Sequence, residues 1–342
     1  MTEITKWAPD FELPPSEVSP CKSNVKSDKI KLVGYIGLGL AGGPMAENIP
    51  KYGYQLLVSD ADRGRAKAYA DSHDGVELAA DSVDAFKEVD CLITMLPNGH
   101  VVKEVLLGER GIAPHLRRGT VIVDTSSSDP FGTRELHALL KEKYGLQLVD
   151  APVTQIRMRG INDGEATLMI GGEKEAVDEV LPVLNTMARW TFNMGGPGSG
   201  HVCKTFNNYM TGAAIAALND CLVVGHKMGL DPALITDVMN VGTARNYGTA
   251  HSIRAEGLTR TYGSGFGLYL IVKDLGINRD LAECLGLDAD LSNLVHSKFA
   301  DALSKCKPDA DYTESLRVWE ERAGVKLPTY ENLGEAPEWR PF

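Results

Sequence analysis

The sequence contains no run of about 18 apolar residues, so no helical membrane span is expected. Its opening, "MTEITKWAPDFELPPSEVSP", has no apolar core and no cleavage-site pattern, and is not read as a signal peptide. The six cysteines (Cys21, Cys91, Cys203, Cys221, Cys284, Cys306) show neither CxxC nor CxxxC spacing. That argues against a disulfide framework or a zinc site and for reduced thiols in a cytoplasmic protein. No His/Cys/Asp cluster has metal-ligand spacing, so no metal is expected. Net charge is −11 and no basic cluster interleaves with aromatics, so neither nucleic acid nor a membrane is an expected partner.

What is present is an ordinary globular composition, 43% hydrophobic and 24% charged, over 342 residues, long enough for two domains with sizeable cores. Residues 1–29 are polar and proline-bearing, and read as an arm with little regular structure. A strand–helix alternation follows. The apolar runs "IKLVGYI", "YQLLVSD", "DCLITMLP", "GTVIVDTS" and "LQLVDAP" are separated by helical segments, and "ATLMIGG" adds a strand near residue 170. Continuous Val/Ile/Leu strands alternating with helices predict a parallel sheet buried on both faces. Beyond Met194 the pattern turns helical, over 200–229, 232–241, 267–285, 289–305 and 311–323. The expected architecture is α/β: a doubly wound (Rossmann) domain over 30–194, an all-helical (all-α) domain over 195–325, and a tail over 326–342.

"YIGLGLAGGPMAENI" sets Gly37, Gly39 and Gly42 in a G-x-G-x-x-G directly after the first strand. Gly37 permits a tight turn, Gly39 a close approach of backbone to a pyrophosphate, and Gly42 close packing of helix on strand. The helix start then offers free N–H groups and a favourable dipole to phosphate. Glycines in such a turn can also be purely structural; the strand before and the helix after favour a dinucleotide. Asp60 ends the second strand, 18 residues beyond Gly42. A carboxylate there accepts the ribose hydroxyls of NAD and repels a 2′-phosphate. The alternative is a turn or N-cap role in "SDADR". Arg63 nearby could soften the preference, so NAD is expected and NADP stays open.

"GSGHVCKTFNNYMTG" opens a long helix that is apolar most of the way round. Lys204 and Asn208 are four apart and share a face. One reading is a lysine whose stem packs while its amine stays wet; the other is a catalytic pair.

In their order, "GLGLAGGPMAEN", "TMLPN" (94–98), "DTSSSDP" (124–130), "DAPV" (150–153) with "DGEATLMIGG", "GSGHVCKTFNN" and "KDL" (273–275) resemble the motifs of the β-hydroxyacid dehydrogenases. That family includes 3-hydroxyisobutyrate dehydrogenase, tartronate semialdehyde reductase and, more distantly, 6-phosphogluconate dehydrogenase. The resemblance runs from about Leu32 to Ala300. It implies that Lys204 is the catalytic lysine and Asn208 its partner. It implies that Gly37, Leu38, Gly39, Gly42 and Asp60 hold the cofactor, with Leu96 and Pro97 along it, Ser127 near the nicotinamide and Lys273 reaching to cofactor and substrate. The residue types suit the chemistry. A lysine near a positive nicotinamide and a second lysine has reason to lose its proton more easily than in water. It can then act as base in oxidation or as acid in reduction. His201 faces a neighbouring sector and reads as structural.

The chain departs from the family after "DAPV", where Ser-Gly-Gly usually wraps the substrate carboxylate. Here "TQIRMRG" puts Thr154, Gln155 and Ile156 in those places and adds Arg157 and Arg159. The arginines are surface charge, or recognise an anionic group by bidentate guanidinium contacts, with Arg245 and Arg254 as further candidates. The leading expectation is an NAD(P)-dependent dehydrogenase or reductase of the CH–OH class. It would interconvert a short β-hydroxy acid, or a related anionic alcohol, and its aldehyde or keto form. An imine reductase and a non-catalytic dinucleotide-binding module are the rivals; the first would be expected to replace Lys204, the second to lose Lys204 or Asn208. A homodimer or homotetramer is the expected assembly, and the arm and the tail "GEAPEWRPF" are free to pack on a neighbouring subunit.

Overall fold

The apolar runs become strands. In the computed structural model, which describes residues 18–20, 25–154, 164, 166–334 and 336–337, they are β2 (Leu32–Ile36), β3 (Gln55–Ser59), β5 (Cys91–Thr94), β6 (Val121–Asp124), β7 (Gln147–Asp150) and β9 (Ala166–Gly171). Every residue of β5 and β6 is buried, which is why these strands read as continuous apolar runs without alternation. Short strands complete the set among the described residues: β1 (Val18–Pro20), β4 (Val76–Leu78), β8 (Val153–Thr154) and β10 (Ala188–Gly195). The sheet order is β1-β10-β9-β7-β6-β5-β2-β3-β4, with β8 on β9. The six strands from β4 to β7 are mutually parallel. β9 runs antiparallel to β7, and β10 parallel to β9.

Chain order reverses between β2 and β5, the switch point at which a doubly wound sheet opens a crevice for a ligand. Register aligns the carboxyl ends there. Ile36 pairs with Ser59 and Thr94, Thr94 with Asp124, and Asp124 with Asp150. Polar strand-end residues therefore lie in one row, next to the loops that follow them. The flanking helices are α1 (Gly42–Ala46), α2 (Arg63–Ser72), α3 (Gly99–Leu107), α4 (Pro130–Leu139) and α5 (Lys174–Met187). They bury one apolar layer on each sheet face, one around Val33, Tyr35, Met45 and Ile93, the other around Leu92, Val102, Leu106 and Ile122.

Helices follow: α6 (Ser199–Lys227), α7 (Pro232–Val241), α8 (Leu268–Cys284), α9 (Asp290–Lys305) and α10 (Leu316–Ala323), with a π-helical stretch Gly248–Gly257. Their core gathers Ile215, Leu218 and Leu222 of α6, Ile271 and Leu275 of α8, Phe299 of α9, and Leu316 and Trp319 of α10. The chain divides into two compact units, one ending at Lys204 and the other beginning at Thr205. The break falls inside α6.

Two features differ from the sequence expectation. The arm contributes an edge strand, Val18–Pro20, paired antiparallel with Trp190–Phe192. The π-helical stretch had no periodic apolar signal. It is set instead by polar bonds: Thr249 Oγ1 donates to Asn240 Oδ1 at 2.8 Å, and Asn246 Oδ1 accepts from the Gly248 N–H at 2.8 Å.

Candidate active site

The glycine loop leaves β2 through Gly37, whose φ of +104° is one that L side chains rarely adopt. A Cβ on Gly37 would lie 2.2 Å from the Met95 carbonyl oxygen, and one on Gly42 2.0 Å from the Gly37 carbonyl oxygen. Both must be glycine for the turn to close. A Cβ on Gly39 would meet nothing within 4 Å, so its backbone faces open space. This fits a nucleotide pyrophosphate: two glycines demanded by the fold, one by the approach of a ligand.

Asp60 stands just beyond β3 and is nearly buried. Its Oδ2 accepts the Leu38 N–H at 2.7 Å and its Oδ1 the Asp62 N–H at 2.8 Å. The carboxylate thus holds the glycine loop in shape. Arg63 turns away and donates to the Ala79 carbonyl at 2.8 Å. The cation beside Asp60 is Arg65, 3.4 Å away, whose side chain is half exposed, and not Arg63 as the sequence suggests.

The loops after β5 and β6 are tied together. Asp124 accepts from Thr94 Oγ1 at 3.0 Å, the Ser126 N–H at 3.0 Å and Ser128 Oγ at 2.9 Å. Ser126 Oγ accepts the Leu96 N–H at 2.9 Å. Ser126 and Ser128 are buried, which leaves Ser127 half-buried between them. Pro97 is exposed, and Asn98 caps α3 by accepting the Val101 N–H at 3.0 Å.

Asp150, at the end of β7, is fully buried and accepts the N–H groups of Gly198 (2.7 Å) and His201 (2.9 Å). It caps the first turn of α6, where free N–H groups and the helix dipole welcome a carboxylate. Burial still pushes its pKa above the ordinary carboxylate range, with His201 and the two N–H groups working the other way. One turn into α6 stands Lys204, half-buried. Asn208 follows one turn later and is buried. Its Nδ2 donates to Asp274 Oδ2 at 2.5 Å, and its Oδ1 accepts from Asn207 Nδ2 at 3.0 Å. Lys273 pairs with the same carboxylate at 3.1 Å. Within the second unit, buried Asp274 therefore joins Asn208 of α6 to Lys273 of α8.

Thr154 closes β8 and is half-buried. Gln155 and Arg157, with Arg159, lie outside the described residues. Arg245 is exposed. Arg254 is removed as an anion binder by its own partners. It is buried, pairs with Asp237 at 2.6 Å, and donates to Thr236 Oγ1 at 2.9 Å and the Leu333 carbonyl at 2.8 Å. The residues that sequence reasoning missed are the organising carboxylates Asp124, Asp150 and Asp274, with Arg65. Each carboxylate sat inside a quoted motif, as the leading Asp of "DTSSSDP" and "DAPV" and the middle of "KDL". Among the described residues no group of three or more His, Cys, Asp or Glu side chains could hold a metal ion.

Residues 32–196 match the NAD binding domain of 6-phosphogluconate dehydrogenase, and residues 198–319 the NAD-binding domain of NADP-dependent 3-hydroxyisobutyrate dehydrogenase. A probable mitochondrial 3-hydroxyisobutyrate dehydrogenase of Dictyostelium discoideum is 31% identical over 83% of this chain and 89% of its own. The 2-(hydroxymethyl)glutarate dehydrogenase of Eubacterium barkeri is 28% identical over 86% of this chain and 97% of its own. The solved 3-hydroxyisobutyrate dehydrogenase of Mycobacterium tuberculosis, with L-serine, superposes with a TM-score of 0.76 at 26% identity, covering 84% of this chain and 99% of that one. With two matched domains in this order and a relative at this identity and coverage, the chain belongs to the β-hydroxyacid dehydrogenase family and is an NAD(P)-dependent oxidoreductase that interconverts a hydroxy acid and its aldehyde.

Proposed function

We propose that Lys204 is the general acid/base of this reaction and that Asn208 and Lys273 complete its polar surroundings. The observation that carries the reading is the placement of Lys204 on α6. The first turn of that helix is bound to the end of β7, in the row of strand ends that leads into the cofactor loops. When bound, a nicotinamide cofactor would supply hydride transfer to or from the substrate carbon. The chain supplies the rest. The backbone at Gly39 admits the pyrophosphate, and Asp60 stands at the ribose end. Half-buried Ser127 is the hydroxyl assigned to the nicotinamide side. Lys204 takes the proton from the substrate oxygen in oxidation and returns it in reduction. Asn208 Oδ1 can accept a second hydrogen bond, from the Lys204 amine or the substrate hydroxyl, while Asp274 holds its Nδ2. Retention of Lys204 and Asn208 together favours a hydroxy acid over an imine substrate and over a non-catalytic module.

The substrate is a small anionic molecule, taken here to be a short β-hydroxy acid. The two arginines in "TQIRMRG", together with the dicarboxylate named for the Eubacterium relative, support extending the search to acids with a second carboxylate. The units proposed to do the work are the dinucleotide-binding domain over 30–194 and the helical domain over 195–325. Exposed apolar side chains on α7 support a homodimer or homotetramer. A cytoplasmic enzyme is the proposed setting; among the described residues no helix is long and apolar enough to cross a membrane.

The test is a screen of mono- and dicarboxylic hydroxy acids and their aldehydes, read by nicotinamide absorbance, with wild type and Lys204→Met in parallel. An active substrate should emerge for the wild type, and Lys204→Met should lower kcat by about 10²–10⁴-fold while still binding NADH. A near-normal kcat in folded Lys204→Met would show that another group moves the proton.

A further inference from the structure

His201 is a buried titratable side chain that the proposed mechanism does not use. It lies in the first turn of α6, three residues before Lys204, and is 1% exposed. Burying a polar ring this completely is costly unless its nitrogens are bonded. Both are. Nε2 lies 3.0 Å from the Ser126 carbonyl oxygen, and Nδ1 lies 2.9 Å from Thr133 Oγ1. A carbonyl oxygen can only accept, so Nε2 carries a proton. The backbone N–H of the same residue donates to Asp150. One residue thus bonds to the end of β7, to the loop after β6 and to the first turn of α4.

The second contact is the informative one. Ser126 immediately precedes Ser127, and its own hydroxyl fixes the Leu96 N–H in the neighbouring loop. The imidazole therefore spans from the helix that bears Lys204 to the carbonyl next to Ser127. Asp124 and Asp150 flank the ring at 3.8 and 3.9 Å, so an apolar replacement would leave two carboxylates and a carbonyl facing it. Beside the two N–H groups that Asp150 accepts, the ring adds contacts from this turn to two further elements, the loop after β6 and α4.

We propose that His201 is a positioning residue. It sets the rotation of α6 against the Ser126–Ser127 loop and so places the Lys204 amine for proton transfer. The proposal rests on the acid/base role of Lys204. Misplacing a reacting group by about 1 Å costs on the order of 10²-fold in rate.

The experiment uses His201→Leu, His201→Gln and Thr133→Val, each alone and combined with Lys204→Met, in the full chain. Thermal melting reports folding, NADH fluorescence reports cofactor affinity, and steady-state kinetics give kcat and KM. His201→Leu should lower kcat about 10–100-fold with a much smaller change in NADH affinity. His201→Gln, which keeps a donor for the Ser126 carbonyl and a polar atom toward Thr133, should recover most of the loss. In the Lys204→Met background His201→Leu should add little, because the group it positions is gone. A folded His201→Leu protein with wild-type kcat overturns the proposal, and so does the same fold-loss in both backgrounds. If His201→Leu does not fold, Thr133→Val removes one ring partner and should still lower kcat in a Lys204-dependent way; no effect there overturns it equally. A near-normal Lys204→Met enzyme defeats the acid/base reading itself. An inactive Lys204→Met beside a normal His201→Leu defeats only the positioning role.

Discussion

Asp60 shows how one side chain can serve the fold and the ligand together. Its two oxygens accept from Leu38 and Asp62, and that is how the glycine loop keeps its shape. A carboxylate in this place normally selects NAD by binding the ribose and repelling a 2′-phosphate. Here Arg65 stands 3.4 Å from it and is half exposed to solvent, within reach of any group that the carboxylate contacts. The guanidinium offsets the repulsion and offers the phosphate a donor. NADP should therefore bind measurably beside NAD. A charge-assisted hydrogen bond is worth about 1.5–3 kcal/mol, so Arg65→Ala should weaken NADPH binding about tenfold or more and leave NADH nearly unchanged. Fluorescence titration of both reduced cofactors checks this. Equal losses for the two would mean that Arg65 acts on Asp60 alone, and Arg63→Ala, which breaks only the bond to Ala79, serves as the control.

At the scale of elements, buried and partly buried carboxylates next to strands do the joining. Asp90, just ahead of β5, accepts the N–H groups of Lys31 and Leu32 at 2.8 and 2.9 Å and pairs with Arg117 at 2.7 Å. Partial burial would raise its pKa, but the two N–H groups and the guanidinium outweigh burial and hold it below the ordinary carboxylate range. A carboxylate depressed in the folded state adds stability above its unfolded value, and that stability is lost as pH falls through the folded value. Asp90→Asn should therefore melt lower than wild type at pH 7, and the gap should close as pH drops below about 4. A gap independent of pH would assign the effect to lost packing. The elements themselves were largely legible. Strands β2, β3, β5, β6, β7 and β9 and helices α6 to α10 fall on the runs marked by apolar pattern alone. Short or polar-faced pieces were not: β4 has three residues, β10 carries Arg189, Trp190 and Asn193, and Gly248–Gly257 owes its form to side-chain bonds that periodicity does not record. Motif order brought out Lys204, Asn208 and the glycines. It did not bring out Asp124, Asp150 or Asp274, because a strand-end carboxylate gains its meaning from partners far away in sequence.

At the scale of the whole molecule, the apolar surface left uncovered calls for an account. On α7, Leu234, Val238 and Val241 fall at positions i, i+4 and i+7, one helical face, and are 61%, 62% and 49% exposed. Met228 and Leu230, just before that helix, are 77% and 56% exposed. Single exposed apolar residues are ordinary, but a stripe along one helix continued into the preceding turn is a surface that water does not favour. A second copy of the chain offers the same stripe, and a two-fold axis through it makes the face self-complementary. Each buried Leu or Val is worth about 1.5–3 kcal/mol. Leu234→Asp with Val238→Asp removes two such side chains from each partner, so about 6 kcal/mol or more is lost and the dissociation constant rises by roughly four decades. Light scattering across a micromolar dilution series should find the wild type as a dimer or tetramer and the double variant as a monomer with intact NADH binding. A wild type that is monomeric throughout would show that this face meets something other than its own copy.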